Sequence, residues 1–280
     1  MLVPRFPNAG ALFEAIERFA VSYLFLTPMH LQNLLPVLPR DRPRLPGLRR
    51  LEVAAMAVQE ALRREIRQRL TPNLAVMYGT NEVAAWISAA DGESLDRFPD
   101  SIGFPAPGVE MGIADDEGQP LPPARLGLIR ARVPGMPAGY LDDPEASAKT
   151  FRDGWYYPGD LGMLAPEGAL YFKGRADDMM NFNGIKIYPA EIEAALLEHA
   201  AVAEAAAFAL PSPVHQDVPA AAVVLREPVP ARQLDQWCRN RLLGRAPQAL
   251  LVMRRLPRDA AGRVDKPALA RAAAKRTRGR

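Results

Sequence analysis

The stretch KGRADDMMNFNGIKIYPAEIE, residues 173–193, joins two parts of the chain that have different sequence patterns. A Gly-Arg pair, two aspartates, two asparagines and a second glycine lie in its first twelve residues, and the remainder opens a helix-like apolar pattern. Glycine permits a backbone twist or close approach, and arginine suits ribose or phosphate. Alone, the stretch is equally compatible with a plain linker, so its meaning depends on what flanks it.

Upstream of this stretch, helical and extended patterns alternate. Residues 8–19 have helical spacing with Asn8 placed to cap them, residues 21–27 form a continuous apolar strand, and the alternation continues through the strand at residues 73–78. Strands that are apolar throughout and separated by helices are typical of parallel sheets covered on both faces. Residues 1–95 are therefore predicted to be a partial parallel-sheet α/β subdomain.

From residue 96 the pattern changes to short strands broken by Gly and Pro, which predicts a small antiparallel, β-barrel-like layer over residues 96–176. We group residues 1–176 as one large domain. From residue 177 onward, a helix, two strands, a second helix, a further strand and a closing loop and helix predict a separate α+β domain over residues 177–280 with its own core.

Composition excludes several classes of protein. The chain has 280 residues, 49% of them apolar, and a net charge of +3, which argues against disorder and against a nucleic-acid partner. Its single cysteine, Cys238, excludes a disulfide framework and favours a packed thiol. With no membrane span and no leader pattern in the sequence, a cytoplasmic location is expected. The basic residues 272–280 are expected to form a frayed, solvated tail.

Two upstream motifs carry polar chemistry. YGTNE, residues 78–82, follows a predicted parallel strand, where an aromatic ring, a glycine and a carboxylate can receive a base, a phosphate and a hard cation. YYPGD, residues 156–160, places Asp160 after a Pro-Gly turn, where a carboxylate can accept from both ribose hydroxyls. Taken singly, the first is also compatible with an ordinary strand exit and the second with a β-turn aspartate.

Taken together and in this order, the motifs resemble those of the adenylate-forming superfamily, which includes acyl-CoA synthetases, carrier-protein adenylation domains and luciferases. YGTNE is similar to the family's Y-G-x-T-E motif and YYPGD to its aromatic-x-T-G-D motif. GRADDMMNFNGIKIYPAEIE resembles the G-R-x-D hinge followed by G-x-x-I-x-P-x-E-I-E. GYLDDPEASAKTFRDGW and LPRDAAGRVDK resemble two further signatures, so the similarity covers nearly the whole chain.

The resemblance implies an AMP-forming acid–thiol ligase of the acyl-CoA synthetase type, as found in fatty acid metabolism. Such an enzyme activates a carboxylic acid with ATP as an acyl-adenylate and passes the acyl group to the thiol of coenzyme A or of a pantetheinyl carrier protein. The implied cofactors are ATP or AMP, Mg²⁺ and that thiol acceptor. Positioning and electrostatics would dominate catalysis, without a covalent enzyme nucleophile.

The resemblance also implies roles for individual residues. Nucleotide binding falls to Tyr78, Gly79, Thr80, Asn81, Asp160 and Arg175. The remaining roles are magnesium binding by Glu82, a hinge at Asp177, thiol-facing positions at Gly184 and Lys186, and catalytic cations at Arg263 and Lys266.

This sequence also departs from the family pattern. Family members are longer, and the Gly/Ser/Thr-rich phosphate loop that precedes these motifs is not found in this sequence. Arg263 occupies the position of a family lysine, and Ala54 and Ala55 occupy positions that are usually glycine. We therefore expect a truncated or split form, with an exposed strand edge that leads to a partner chain or self-association. The alternative is a degenerate homologue that binds AMP, acyl-AMP or an acyl-carrier partner without catalysis.

Overall fold

The computed structural model describes residues 8–39, 45, 47–54, 58, 60–212, 214–259 and 263–278. The chain divides into two compact units, Met1–Phe172 and Lys173–Arg280. The division falls four residues before the Asp177 position at which the hinge is predicted. The hinge itself remains a prediction.

The first unit opens with a mixed α/β layer. Its helices are α1 (Ala9–Arg18), α2 (Pro28–Leu34), α3 (Glu60–Arg69) and α4 (Gly92–Arg97), and its strands are β1 (Tyr23–Leu26), β2 (Arg50–Val53), β3 (Leu74–Thr80), β4 (Ala85–Ala90) and β5 (Phe104–Pro105). The strands lie in the order β1-β2-β3-β4-β5. The first two pairings are parallel and the last two antiparallel. The predicted partial parallel sheet is confirmed.

Helices cover one face of this sheet because alternate strand residues are apolar and point to that side. Leu51 and Leu74 on the strands pack with Leu31 and Ile66 on the helices, and each of these side chains is at most 1% exposed. Asn8 caps helix α1 as predicted, by accepting the backbone N–H of Ala11.

The opposite face of the same sheet is less covered at its β1 edge. Tyr23 and Phe25 are 50% and 47% exposed, and the Phe25 ring lies 5.7 Å from that of Trp86. The strand pairs with β2 on one side. An edge strand with exposed aromatic side chains agrees with the expectation from the sequence, and the predicted partner chain or self-association remains a prediction.

An antiparallel sheet follows in the first unit, and its last strand extends three residues past the boundary at Phe172. It contains β6 (Glu110–Ala114), β7 (Gly127–Arg132), β8 (Phe151–Arg152), β9 (Trp155–Tyr156), β10 (Asp160–Leu164) and β11 (Leu170–Arg175), and the short helix α5 (Pro144–Thr150) precedes β8. The order is β11-β10-β7-β9-β8, with β6 also paired to β7. Helix α5 was not anticipated, because its seven residues are too few to show a clear helical period.

The second unit is a four-stranded antiparallel sheet with one parallel strand added and helices on both faces. Its elements are β12 (Met180–Phe182), β13 (Ile185–Ile187), α6 (Pro189–Leu197), β14 (Val202–Ser212), β15 (Gln216–Leu225), α7 (Ala231–Leu242), β16 (Ala249–Met253) and α8 (Lys266–Arg278). The order is β13-β12-β15-β14, and β16 pairs with β15 in parallel. The predicted separate α+β domain is confirmed.

Two apolar layers stabilise the second unit, one on each face of its sheet. Ile192 of α6 and Leu234 of α7 belong to the first layer, and Leu269 and Ala273 of α8 belong to the second. The expectation of a frayed tail from residue 272 is wrong as far as residue 278, because helix α8 continues there and buries Ala273 against the sheet.

Two further expectations concern the alanines that follow β2 and the absence of a membrane-spanning helix. Ala54 follows β2 and is buried, whereas Ala55 lies outside the described residues. Among the residues that the structure describes, no helix combines the length and the apolar character needed to cross a bilayer.

Candidate functional site

The end of strand β3 carries the first half of the candidate site. Side chains two residues apart on a strand point to the same side, so Tyr78 and Thr80 both face the antiparallel sheet of the first unit. The Tyr78 hydroxyl donates to Asp160 Oδ2 at 2.6 Å. The Tyr78 ring packs against Phe172, with 6.2 Å between ring centroids. The structure thus joins the YGTNE and YYPGD motifs directly.

Gly79 is required by the close packing of β3 on β4. A Cβ atom at this position would lie 2.5 Å from the carbonyl oxygen of Ala85 and 2.9 Å from the Trp86 ring, distances that real Cβ atoms do not show. A register irregularity between Tyr78 and Gly79 lies at the same point. Gly79 therefore lets the strand pass β4 while Tyr78 keeps its direction. Asn81, two residues further on, is exposed.

Asp160 is held where β10 begins. It is 6% exposed, and it follows Gly159, whose φ of +76° is a conformation that favours glycine. The Pro-Gly turn therefore delivers an almost buried carboxylate to the side of Tyr78. Such a carboxylate needs hydrogen-bond donors to offset the loss of water, and the Tyr78 hydroxyl is one of them.

Glu82 is surrounded by hydroxyl groups. Burial alone would raise the pKa of its carboxyl, but hydrogen bonds from its own backbone N–H and from three neighbouring hydroxyls outweigh burial and lower that pKa. The hydroxyls belong to Thr80, Tyr156 and Tyr140. These hydrogen bonds favour the ionised carboxylate of Glu82, which could serve as an oxygen ligand at the strand end.

Tyr156 and Tyr140 border the candidate site, and sequence reasoning did not identify them. Tyr156 is 1% exposed and its hydroxyl lies 2.7 Å from Thr80 Oγ1, while burial raises the pKa of its phenol. The Tyr140 hydroxyl donates to Glu82 Oε1 at 3.3 Å. Phe151 links the two tyrosines, with ring centroids 5.5 Å from Tyr140 and 5.2 Å from Tyr156. Both tyrosines lie within quoted signatures, but their direction toward Glu82 is not visible in sequence.

Arg175 and Asp177 lie in the second unit, beside its boundary. Arg175 Nε donates to Asp177 Oδ1 at 3.1 Å, and this hydrogen bond is the main reason that the pKa of Asp177 is lowered. An ion pair therefore joins Arg175, which is predicted to contact the ribose, to Asp177, which is the predicted hinge residue. Its side chains are 47% and 68% exposed, so the pair contributes little to stability.

The predicted thiol-facing positions belong to the β12–β13 hairpin. Asn181 Oδ1 accepts the Gly184 backbone N–H at 2.9 Å, and the two residues at the tip, Asn183 and Gly184, have φ of +53° and +84°. Among the described residues, and apart from its chain neighbours, no heavy atom lies within 4 Å of where a Gly184 Cβ would be, so glycine is favoured there by φ and not by crowding. Lys186 on β13 is exposed.

The two predicted catalytic cations have different surroundings. Arg263 Nε donates to Asp259 Oδ2 at 2.8 Å, and the Arg263 side chain is 76% exposed. Lys266 Nζ instead donates to Asp178 Oδ2 at 2.6 Å and lies 4.0 Å from Glu193 Oε1. Its side chain is 26% exposed. Lys266 is therefore engaged with the body of the second unit, whereas Arg263 stays accessible.

The donor set of the first unit fits a nucleotide with a magnesium ion better than a protein-only metal cage. No three His, Cys, Asp or Glu side chains converge within the described ranges. Magnesium is commonly held by one or two carboxylates together with substrate phosphates, which is compatible with Glu82 alone at this position. Asp160 is a carboxylate of the kind that could accept from both hydroxyls of a ribose.

Comparison with known proteins identifies the family of this chain. The family profile for the AMP-binding enzyme matches residues 1–141, and the profile for the AMP-binding enzyme C-terminal domain matches residues 191–263. An indoleacetate–CoA ligase of Aromatoleum aromaticum is 34% identical over 291 residues, covering 99% of this chain and 54% of the relative. The chain thus spans about half the length of this relative.

Solved structures show the same correspondence. The amide bond synthetase McbA from Marinactinospora thermotolerans has a TM-score of 0.88 and 30% identity, covering 97% of this chain and 56% of that one. The O-succinylbenzoate coenzyme A synthetase MenE from Bacillus subtilis, solved with ATP and a magnesium ion, has a TM-score of 0.82 and 30% identity, covering 95% and 54%. On these matches the chain belongs to the AMP-binding enzyme family, in its acyl-CoA ligase type, and corresponds to roughly the C-terminal half of its relatives.

Proposed function

We propose that this chain is the nucleotide-binding part of an AMP-forming acid–thiol ligase. In the first half-reaction, a carboxylate oxygen of the acid bonds to the α-phosphorus of ATP and pyrophosphate leaves. In the second, the thiol of coenzyme A or of a pantetheinyl carrier loses its proton, its sulfur bonds to the acyl carbon, and AMP leaves. Tyr78 lies against the adenine and Asp160 accepts from the ribose hydroxyls in this proposal.

One observation carries the proposal, namely the 2.6 Å hydrogen bond between Tyr78 and Asp160. The two residues are 82 positions apart, and each belongs to a motif assigned to the same nucleotide. A strand end that brings a ring and an almost buried carboxylate together offers both a stacking surface and a diol acceptor. That combination suits AMP, whose base is apolar on its faces and whose ribose presents two adjacent hydroxyls.

Glu82 is the residue that we assign to Mg²⁺. Its ionised carboxylate is oriented by the hydroxyls of Thr80, Tyr140 and Tyr156, and it would share the ion with the nucleotide phosphates. Bound there, Mg²⁺ would offset the negative charge of those phosphates. We assign Gly79 and Asn81 to the lining of the site for the phosphate and acyl groups.

In the second unit we assign the catalytic cation to Arg263 rather than to Lys266. Arg263 is exposed and its one described ion pair, with Asp259 in its own loop, is easily exchanged for a ligand anion. Lys266 would have to leave Asp178 and the neighbourhood of Glu193 to reach a substrate. Arg175 is assigned to the ribose, Asp177 to the hinge, and Gly184 with Lys186 to the approach of the thiol.

The alternative is a non-catalytic homologue that binds AMP or acyl-AMP. An arginine at position 263 favours it, because a guanidinium lacks the compact point charge of the lysine that the family pattern has at this position. Both functions require the same ribose carboxylate. They differ in whether thiol transfer follows.

The deciding experiment is calorimetric titration of the purified chain with AMP and with a non-hydrolysable acyl-adenylate mimic. Asp160→Asn removes the charge that accepts from the ribose and keeps the side-chain shape, and we expect it to weaken binding at least tenfold. Asp116→Asn is the matched control, since Asp116 is exposed in a loop of the same unit. No binding by the folded wild-type chain, or equal binding by the Asp160 variant, would contradict a nucleotide site here.

A second assay separates the enzyme from the binding protein. A supplied acyl-adenylate is incubated with coenzyme A, and with a carrier-protein thiol in a parallel reaction, and thioester formation is followed. Thioester formed by the wild type above the uncatalysed rate supports the ligase. Tight binding of the mimic without thioester from either thiol supports the non-catalytic homologue.

A further inference from the structure

We propose that the Tyr78 hydroxyl acts as a positioning group that orients the Asp160 carboxylate for the ribose diol. This inference rests on the proposed function, since it assumes that Asp160 meets a ribose. It adds to that function a role for the hydroxyl that is separate from any contact between the ring and a base. Tyr78 acts through Asp160, so it is a positioning residue and not a catalytic one.

The side-chain torsion of aspartate explains why a positioning group is useful here. The last torsion of an Asp side chain is broad and nearly two-fold, so the carboxylate plane is poorly defined unless something holds it. A vicinal diol needs both of its hydroxyls aligned with that plane. A hydroxyl that donates to Asp160 Oδ2 at 2.6 Å restricts the rotation, and charge-assisted bonds of this length are strong.

The hydroxyl can restrain Asp160 only because Tyr78 is itself restrained. Its ring contacts Phe172 and packs with the core that contains Ile113 and Ile129, of which Ile129 is fully buried. The tight passage of Gly79 past Ala85 fixes the backbone next to it. The rigid strand β3 therefore sets the position of the hydroxyl, and the hydroxyl sets the plane of the carboxylate.

Two roles of the Tyr78 hydroxyl have to be distinguished, namely orienting Asp160 and simply linking two segments of the chain. The nearby hydrogen bond between Thr80 and Tyr156 is an example of the second role. It connects the same two segments of chain at 2.7 Å, but it does not reach Asp160. If the hydroxyl of Tyr78 merely held the segments together, its removal would affect all ligands of the site alike. If it orients Asp160, its removal affects only ligands that carry the ribose hydroxyls.

The test compares AMP with 2′,3′-dideoxy-AMP, which lacks both ribose hydroxyls, by calorimetric titration of the wild type, Tyr78→Phe and Tyr157→Phe. Tyr78→Phe keeps the ring and removes the hydroxyl. We expect it to weaken AMP binding about tenfold and to leave dideoxy-AMP binding unchanged, so that the preference for AMP shrinks. Circular dichroism verifies that each variant is folded.

Tyr157→Phe is the matched control. It removes the hydroxyl of a buried tyrosine that follows Tyr156 in the sequence and lies 3.4 Å from an Arg130 nitrogen. This variant should keep the preference for AMP over dideoxy-AMP. An unchanged AMP preference in Tyr78→Phe, or an equal loss for both nucleotides, would overturn the inference while the proposed function stands. A wild type that binds AMP no better than dideoxy-AMP would overturn both, since Asp160 would then not meet the ribose.

Discussion

Lys266 and Asp178 form an ion pair between the start of helix α8 and the segment that follows the predicted hinge, with 2.6 Å between Nζ and Oδ2. Glu193 Oε1 lies 4.0 Å from the same ammonium and accepts the Ala207 backbone N–H at 3.0 Å. The three charged side chains therefore connect α8, the hinge segment, α6 and β14. The cluster therefore gives Lys266 a structural role. Its position in the sequence, three residues after Arg263, does not reveal that role.

The thiol of Cys238 should be a selective probe of the second unit. It is fully buried, and burial raises its pKa to about 11, with Asp235 adding to the effect and Arg241 opposing it. We expect alkylation at pH 8 to be slower than that of the urea-unfolded chain by about 100-fold or more. Labelling with a thiol-specific reagent measures this, and fast labelling of the native chain would contradict the packed thiol.

Lys266→Met should destabilise the second unit. The variant keeps the methylene stem and removes the ammonium, which leaves Asp178 and Glu193 without their shared counterion. Because the Lys266 and Asp178 side chains are 26% and 39% exposed, the expected loss is roughly 1–2 kcal/mol. Cys238 labelling across a urea series measures it. Lys275→Met, at an exposed site on the same helix, is the control and should stay within about 0.5 kcal/mol. Equal losses in the two variants would argue against the ion pair.

Glu193 should make the stability of the second unit depend on pH. Desolvation raises its pKa, Asp178 adds to this, and Lys266 with the Ala207 N–H opposes it. The folded state therefore holds a proton at pH values where the unfolded chain has lost it. The stability from this group is complete below the unfolded pKa of about 4.3 and is lost as pH rises through the higher folded pKa.

Glu193→Gln should remove the part of the stability loss with rising pH that comes from Glu193. Glutamine does not titrate, and it still offers an oxygen to the Ala207 N–H. Unfolding by urea at pH 4 and pH 7, followed by circular dichroism, measures the slope of stability against pH. Glu227→Gln, at an exposed loop position, should keep the wild-type slope. A Glu193→Gln variant with the same slope as the wild type would show that Glu193 titrates alike in both states.

Phe25→Lys should reduce self-association through the first sheet. Phe25 is 47% exposed on the edge strand, and a charge there opposes pairing between strand edges. Sedimentation velocity over a concentration series should give a smaller average sedimentation coefficient for the variant than for the wild type. Leu141→Lys, at a position 91% exposed and away from this strand, is the control and should behave as the wild type. A wild-type chain that sediments as a monodisperse monomer would contradict the prediction.

Local pattern was sufficient for most of the secondary structure. Asn8 caps α1, the apolar run at residues 73–78 is the core of β3, and Cys238 lies on a buried helix face, all as expected from side-chain type and spacing. These features depend on residues within a few positions of each other. The sequence predicts a closing helix but not its continuation past residue 272, because the basic residues near the end of the chain obscure the apolar face that Ala273 contributes.

The candidate site was only partly predictable. The motifs pointed to Tyr78, Glu82 and Asp160 as residue types suited to a nucleotide, but no local pattern says that Tyr140 and Tyr156 turn toward Glu82. Those directions follow from the register of β3 on its neighbours and from the packing of the Phe151 ring between the two tyrosines. Both depend on contacts between distant parts of the chain.

The sequence by itself determined the types of element, the division into an α/β part and a smaller α+β part, and the family, because periodicity and short motifs are local properties of the chain. The tertiary structure alone decided which polar groups meet. Tyr78 donates to Asp160 across 82 residues, and Lys266 is bound to Asp178 across 88. Hydrogen bonds and ion pairs act only over a few ångströms, so their partners are chosen by how the sheets and helices pack.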